Sequence, residues 1–170
     1  EDRRGINPAT DLKLMMRYFN ILGKIKPDLV ITYTIKPNIY GGIAARFKRI
    51  PYAVNITGLG TAFQNENMIK KLVVFLYKLS CKKAKTIFFE NEGNKQVFIE
   101  NNIIKESRSC TLPGAGIDLD EYKMTPYPEE SRNIRFLFIG RVMKEKGVEE
   151  LFKAAKNIKK IYPEVSFDIV

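Results

Sequence analysis

Two spacings of apolar residues alternate along the chain. After Asn7-Pro8, the stretch LKLMMRYFNILGKI repeats apolar positions every three to four residues. This predicts a helix with an Asn N-cap and Pro at its first position, ending near residues 23–27. DLVITYT at 28–34 is a β-branched run bounded by turn formers, which predicts a buried strand. After Lys36-Pro37-Asn38 comes IYGGIAARFKR, where the small residues Gly41, Gly42, Ala44 and Ala45 would let a helix pack close to a sheet. Pro51 opens a second strand, YAVNIT, that ends in the loop TGLG at 57–60. A helix over about 67–84, a strand KTIFFEN and a helix from about Glu92 to Asn101 continue the alternation.

One helix per strand, joined by short connections, predicts parallel strands with right-handed crossovers. The fold class is therefore α/β, with a Rossmann-like, doubly wound parallel sheet. The punctuation then changes: CTLPGAGIDLDEYKMTPYPEESRN is rich in Pro, Gly and acidic residues and reads as a linker between domains. Beyond it, IRFLFIG, RVMKEKG, VEELFKAAKNIKKIY and VSFDIV make one strand-loop-helix-strand unit. Two strands and one helix cannot cover both faces of a sheet, so this unit is expected to open a second, incomplete domain. The expected layout is a first domain over 1–125 lacking its leading strand, a linker at 126–133, and the start of a second domain over 134–170. No run of about 20 apolar residues is present to span a membrane as a helix.

Composition narrows the chemistry. The chain has 170 residues, 45% of them hydrophobic and 28% charged, which suits a globular protein with a core. It contains no histidine, which removes a Ser-His-Asp triad, a Cys-His dyad and any imidazole-bound zinc. Cys81 and Cys110 lack CxxC spacing and fit a reduced, cytoplasmic protein. The net charge of +10 is unevenly placed: between Lys13 and Lys85, 14 basic residues face 2 acidic ones, giving +12 there and −2 elsewhere. Nucleic acid, anionic lipid and a phosphorylated substrate are all compatible with such a field.

Three groups could carry function. Gly140-Arg141 and Lys146-Gly147 lie between a strand end and a helix start, where free N–H groups, a bidentate guanidinium and an ammonium suit a diphosphate. Asn55 with Thr57, Gly58 and Gly60 forms a second strand-to-helix loop able to approach a ligand closely. On the helix near 67–84, Ile69, Leu72, Val73, Leu76 and Leu79 are read as the core-facing stripe. The opposite face carries Lys71, Lys78, Lys82 and Lys85 around Phe75, as expected at an anionic bilayer interface or on a solvated surface. Glu90, Glu92, Asp118, Asp120 and Glu121 have no spacing that marks an acid/base pair or a metal cluster, so they read as surface and capping charges.

In order along the chain, KPDLVITYTIKPNIYGGIAARFKRIPYAVNITGLGTAF, TIFFENEGNKQVF, LPGAGIDLDEY and FLFIGRVMKEKGVEEL resemble glycosyltransferase family 4. More narrowly, they resemble the bacterial members that build capsule, O-antigen and related lipid-linked surface glycans. The resemblance implies a GT-B fold, in which two Rossmann-like domains bind acceptor and nucleotide sugar respectively. It places Gly140, Arg141, Lys146 and Gly147 at the donor diphosphate, and Asn55, Thr57, Gly58 and Gly60 on the acceptor side of the cleft. Lys71, Phe75, Lys78 and Lys82 would face the membrane.

The implied activity is retaining transfer of a sugar, UDP-linked by expectation, to a polyprenyl-diphosphate-linked acceptor at the inner face of the cytoplasmic membrane. Neither a metal nor another cofactor is implied. Many relatives carry a cleft histidine where this chain has Thr57, so no imidazole role carries over. The family's glycine-rich loop and its glutamate pair are expected to lie before Glu1 and after Val170, so activity is expected of a longer chain only. The alternatives are a non-enzymatic basic module binding membrane or nucleic acid, and a nucleotide-sugar 2-epimerase of similar fold. Nucleic acid is disfavoured because no helix-turn-helix, RNP signature or aromatic-lined basic groove is evident.

Overall fold

The computed structural model describes residues 7–63, 68–114, 116–127 and 134–170, apart from the side chains of residues 61 and 145. The chain divides into two compact units, Glu1–Asp118 and Leu119–Val170. Most of the expected linker, residues 128–133, lies outside the described residues.

In the first unit α1 spans Pro8–Ile25, its first turn capped by Asn7 Oδ1 accepting from the Ala9 amide at 3.1 Å. Lys26, in the left-handed conformation at φ 49°, donates its N–H to Leu22 O and closes the helix. Next come β1 (Val30–Tyr33), a π-helical turn Pro37–Gly41 running into α2 (Gly42–Phe47), and β2 (Tyr52–Ile56). α3 (Met68–Cys81), β3 (Ile87–Phe89), α4 (Glu92–Glu100) and β4 (Ser109–Thr111) complete the unit.

The four strands are parallel in the order β1-β2-β3-β4. Strand order that advances in one direction with right-handed crossovers puts every connecting helix on the same face. That face carries Tyr52, Val54, Ile56, Ile87 and Phe89, which pack with Leu22, Ile43, Tyr77 and Phe98 into one core. Ile31 and Tyr33 alternate onto the other face of β1 and are exposed. The unit is thus the expected α/β fold with a parallel, Rossmann-like sheet.

β4 was not expected, because Ser-Cys-Thr has no apolar run and sits where the sequence reads as linker. Pairing with β3 defines it, through Ile87↔Ser109 to Phe89↔Thr111. The connection before α2 also differs from an ordinary helix, since the chain makes one wide turn before tightening into α2.

α3 is rotated relative to the expected stripe. Val73, Leu76 and Leu79 pack against the core as expected, but the fully buried residues are Tyr77, Ser80 and Cys81, while Ile69 and Leu72 are exposed. The reason is close packing against α2: a side-chain carbon at Gly42 would collide with Ser80 Oγ, so small side chains win the contact that hydrophobicity alone awards to leucines. The C-terminal carbonyls of α3 are satisfied by side chains from three other segments. Arg46 Nη1 donates to Leu79 O at 2.8 Å, the Tyr52 hydroxyl to Ser80 O at 2.5 Å and Arg108 Nη1 to Lys82 O at 2.9 Å. Two arginines thus serve the negative end of a helix rather than an external anion.

Burial also separates the two cysteines, both free thiols. Desolvation pushes the Cys81 thiol up to about 12, against a weaker opposing pull from Arg108, whereas Cys110 is exposed. A thiol reagent at mildly alkaline pH should therefore modify Cys110 alone in the native chain and both cysteines after denaturation. Rapid native labelling of Cys81 would contradict the packing of α3.

The second unit holds β5 (Arg135–Phe138), α5 (Val148–Ile161) and β6 (Ser166–Ile169). β5 and β6 are parallel from Arg135↔Ser166 to Phe138↔Ile169, with Phe136 and Phe167 stacked at 4.9 Å. This is the expected strand-helix-strand unit.

Candidate functional site

In the second unit the carboxyl ends of the strands are tied together: the Val170 amide donates to Phe138 O and the Gly140 amide to Val170 O, each at 3.0 Å. Arg141 follows and is exposed. A 3-10 turn at Lys144–Lys146 then leads to Gly147, whose left-handed backbone (φ 75°, ψ 24°) turns the chain into α5. That conformation favours glycine. Lys146 is exposed beside it, and no side chain caps the N-terminus of α5. Arg141, Lys146 and uncapped helix N–H groups therefore share the turn that leaves the carboxyl end of β5, although Glu149 and Glu150 also occupy the first turn of α5.

In the first unit the corresponding position is the end of β2. Asn55 is 7% exposed, and its Oδ1 has no hydrogen-bond partner among the described residues. Thr57 is exposed, and nothing lies within 4 Å of where a side-chain carbon on Gly58 would stand. Gly60 has φ +66°, and a Cβ there would stand 2.6 Å from Ile35 Cδ1, so this glycine has both a conformational and a packing reason.

Lys71, Lys78 and Lys82 are exposed as expected, and Phe75 is 62% exposed. The rotation of α3 adds Met68, 78% exposed, and Leu72 to that surface. Met68, Leu72 and Phe75 follow helical spacing, so an apolar strip runs alongside the lysines. A sequence reading that assigns Leu72 to the core misses this strip.

Further polar groups near the end of β1 were also missed. Lys36 Nζ pairs with Asp11 Oδ1 at 2.9 Å, and the Tyr40 hydroxyl is pushed up to about 12, first by burial and then by its hydrogen bond to Asp11. Asn38, 1% exposed, donates through Nδ2 to Asn55 O at 2.8 Å. Following Pro, it resembles any turn asparagine, and only its burial reveals otherwise.

The fold recurs among solved structures. The Anabaena protein HepE, solved in complex with UDP-glucose, superposes with a TM-score of 0.72 at 18% identity, over 96% of this chain and 44% of that one. The model of the glycosyl transferase 4-like family matches residues 1–91, and the chain belongs to that family. Among its relatives, the Campylobacter jejuni N,N'-diacetylbacillosaminyl-diphospho-undecaprenol alpha-1,3-N-acetylgalactosaminyltransferase is 28% identical, across 92% of this chain and 46% of that protein. The Escherichia coli UDP-Gal:alpha-D-GlcNAc-diphosphoundecaprenol alpha-1,3-galactosyltransferase is also 28% identical, across 98% of this chain and 46% of its own length. The chain thus spans about half the length of the curated relatives it matches.

Proposed function

We propose that the full-length protein is a retaining glycosyltransferase that moves a sugar from a UDP-sugar to a polyprenyl-diphosphate-linked saccharide in bacterial surface-glycan synthesis. The observation that carries this reading is the similarity to two transferases named for undecaprenyl-diphosphate-linked acceptors, running through both units. Residues 1–125 serve as the acceptor-side domain, 126–133 as the linker and 134–170 as the start of the donor domain. Arg141 and Lys146, at the uncapped start of α5, take the donor diphosphate. As the bond to the sugar breaks, negative charge grows on that leaving group, so cations held in place stabilise the transition state more than the ground state. The residues after β2 take the acceptor side.

The test is to incubate the full-length protein with UDP-sugars and a polyprenyl-diphosphate-linked saccharide. Mass spectrometry of the lipid fraction should show extension by one sugar with retained anomeric configuration. Release of an epimerised sugar nucleotide with no lipid product would instead favour the epimerase alternative.

The protein works as a peripheral protein at the inner, anionic face of the cytoplasmic membrane. Support comes from α3, where Met68, Leu72 and Phe75 are exposed beside Lys71, Lys78 and Lys82. Among the described residues no helix is long and apolar enough to cross a membrane. Each charge near such a surface contributes about 1 kcal/mol, so reversing all three lysines to Glu should weaken vesicle binding by about 100-fold or more. Co-sedimentation with vesicles of phosphatidylglycerol checks this, with UDP binding as the control for folding. Equal sedimentation of both forms would remove α3 from the membrane face. Nucleic acid is not a partner in this reading, and the same exposed apolar strip favours a lipid surface over phosphate backbones.

A further inference from the structure

β1 stops at Tyr33 because Thr34 takes a left-handed backbone, φ 66°, rare for a β-branched residue. The chain then winds through the π-helical turn Pro37–Gly41, with the Asn38 amide donating to Thr34 O at 3.0 Å. Wide turns of this kind occur frequently at functional positions. Here the turn carries the Asn38 side chain into the interior. Its Nδ2 donates to Asn55 O, its amide hydrogen-bonds the Tyr77 hydroxyl, and its main-chain carbonyl accepts from Ser80 Oγ.

The same segment touches the loop at 57–60 a second time, where Gly60 lies against Ile35. It therefore meets the chain on both sides of the loop: at the Asn55 carbonyl near the end of β2, two residues before Thr57, and at Gly60. A buried amide carries a cost here, since Asn38 Oδ1 has no partner among the described residues. Left-handed threonine, wide turn and buried amide all add cost at one place, and what they hold in common is the start of this loop.

We propose that Asn38 is a positioning residue: by holding the Asn55 carbonyl it fixes where residues 57–60 leave the sheet, and so sets the acceptor side of the site. Ser80 anchors the same residue to α3. Only the link to the acceptor rests on the function proposed above; the positioning itself does not.

The experiment is hydrogen exchange by mass spectrometry on the full-length protein. In Asn38→Ala, amides 58–60 should exchange about tenfold faster, the scale of one lost hydrogen bond, while amides of β3 stay as protected as in the wild type. Asn38→Asp supplies the second arm and keeps the volume. Protonated, its carboxyl donates to Asn55 O as the amide does; ionised, it cannot. Burial raises the pKa of such a group, so relative to wild type at each pH the loop should be near normal at about pH 6 and loosen towards about pH 9. Tyr77, facing it from α3, is held neutral across that range because burial pushes its hydroxyl up.

Loop exchange equal to wild type in both variants, or rising in step with β3, would overturn the positioning role. If Asn38→Ala does not fold, the pH dependence of Asn38→Asp decides. GlcNAc-diphosphoundecaprenol in detergent should bind Asn38→Ala about tenfold more weakly, with UDP binding unchanged. A loosened loop with unaltered lipid binding, or no lipid binding by the wild type, would overturn the acceptor assignment and leave the positioning role standing.

Discussion

Replacing Arg141 by Ala in the full-length enzyme should lower turnover by about 100-fold or more, the scale observed when one charge-stabilising group is removed from a transition state. On the proposed donor role the effect falls on turnover, because a diphosphate that leaves gains charge while one merely bound does not. Arg141 is exposed, and among the described residues no ion pair or hydrogen bond gives it a structural task, so its loss should leave folding intact. Arg141→Lys keeps the charge but loses the bidentate fork, and should recover part of the activity. The check is steady-state kinetics with saturating lipid acceptor. Unchanged turnover in Arg141→Ala would remove this residue from the donor site.

The contrast with Arg46 and Arg108 shows how little a basic residue's sequence context reveals. All three arginines contribute equally to the net charge, yet Arg46 and Arg108 are bound to the carbonyls that end α3. Lys36 is likewise held by Asp11. The field of +12 between Lys13 and Lys85 therefore overstates what an external anion meets. The charge left for a partner sits chiefly on lysines such as Lys71, Lys78 and Lys82.

The alternation of strands and helices was legible because β-branched runs and 3.6-residue periodicity report on burial directly, and every expected strand of the first unit appears. β4 was illegible because its identity lies in backbone pairing with β3, which Ser-Cys-Thr does not advertise. The rotation of α3 was illegible for a related reason. Periodicity finds an apolar arc, but Tyr77, Ser80 and Cys81 are chosen by what α2 and the π-helical turn leave room for. In the candidate site, the glycines and basic residues could be named from their spacing after strands. Asn38 could not, since a surface turn and a buried clamp use the same residue.

A paired substitution tests the buried place of Phe98 and the outward place of Phe75. Phe98 is fully buried and meets Tyr77 at 4.9 Å and Phe89 at 5.2 Å edge-on, with Phe63 stacked at 6.1 Å. It joins α4 to α3 and β3, so truncation removes a large apolar volume and several ring contacts at once. Phe98→Ala should destabilise the first unit by about 3–5 kcal/mol, read as a lower denaturant midpoint by circular dichroism. Phe75, on the outer side of α3, should behave oppositely. Phe75→Ala should change stability by about 0.5 kcal/mol or less, as surface substitutions do. It should still weaken binding to anionic vesicles, since a phenyl ring entering an apolar interface contributes about 1.5–3 kcal/mol. The two measurements separate because Phe98 on α4 is buried in the core while Phe75 lies on the exposed side of α3. Were Phe75→Ala to lose stability as Phe98→Ala does, Phe75 would have to be packed into the core, and it would no longer offer a membrane face with Met68 and Leu72.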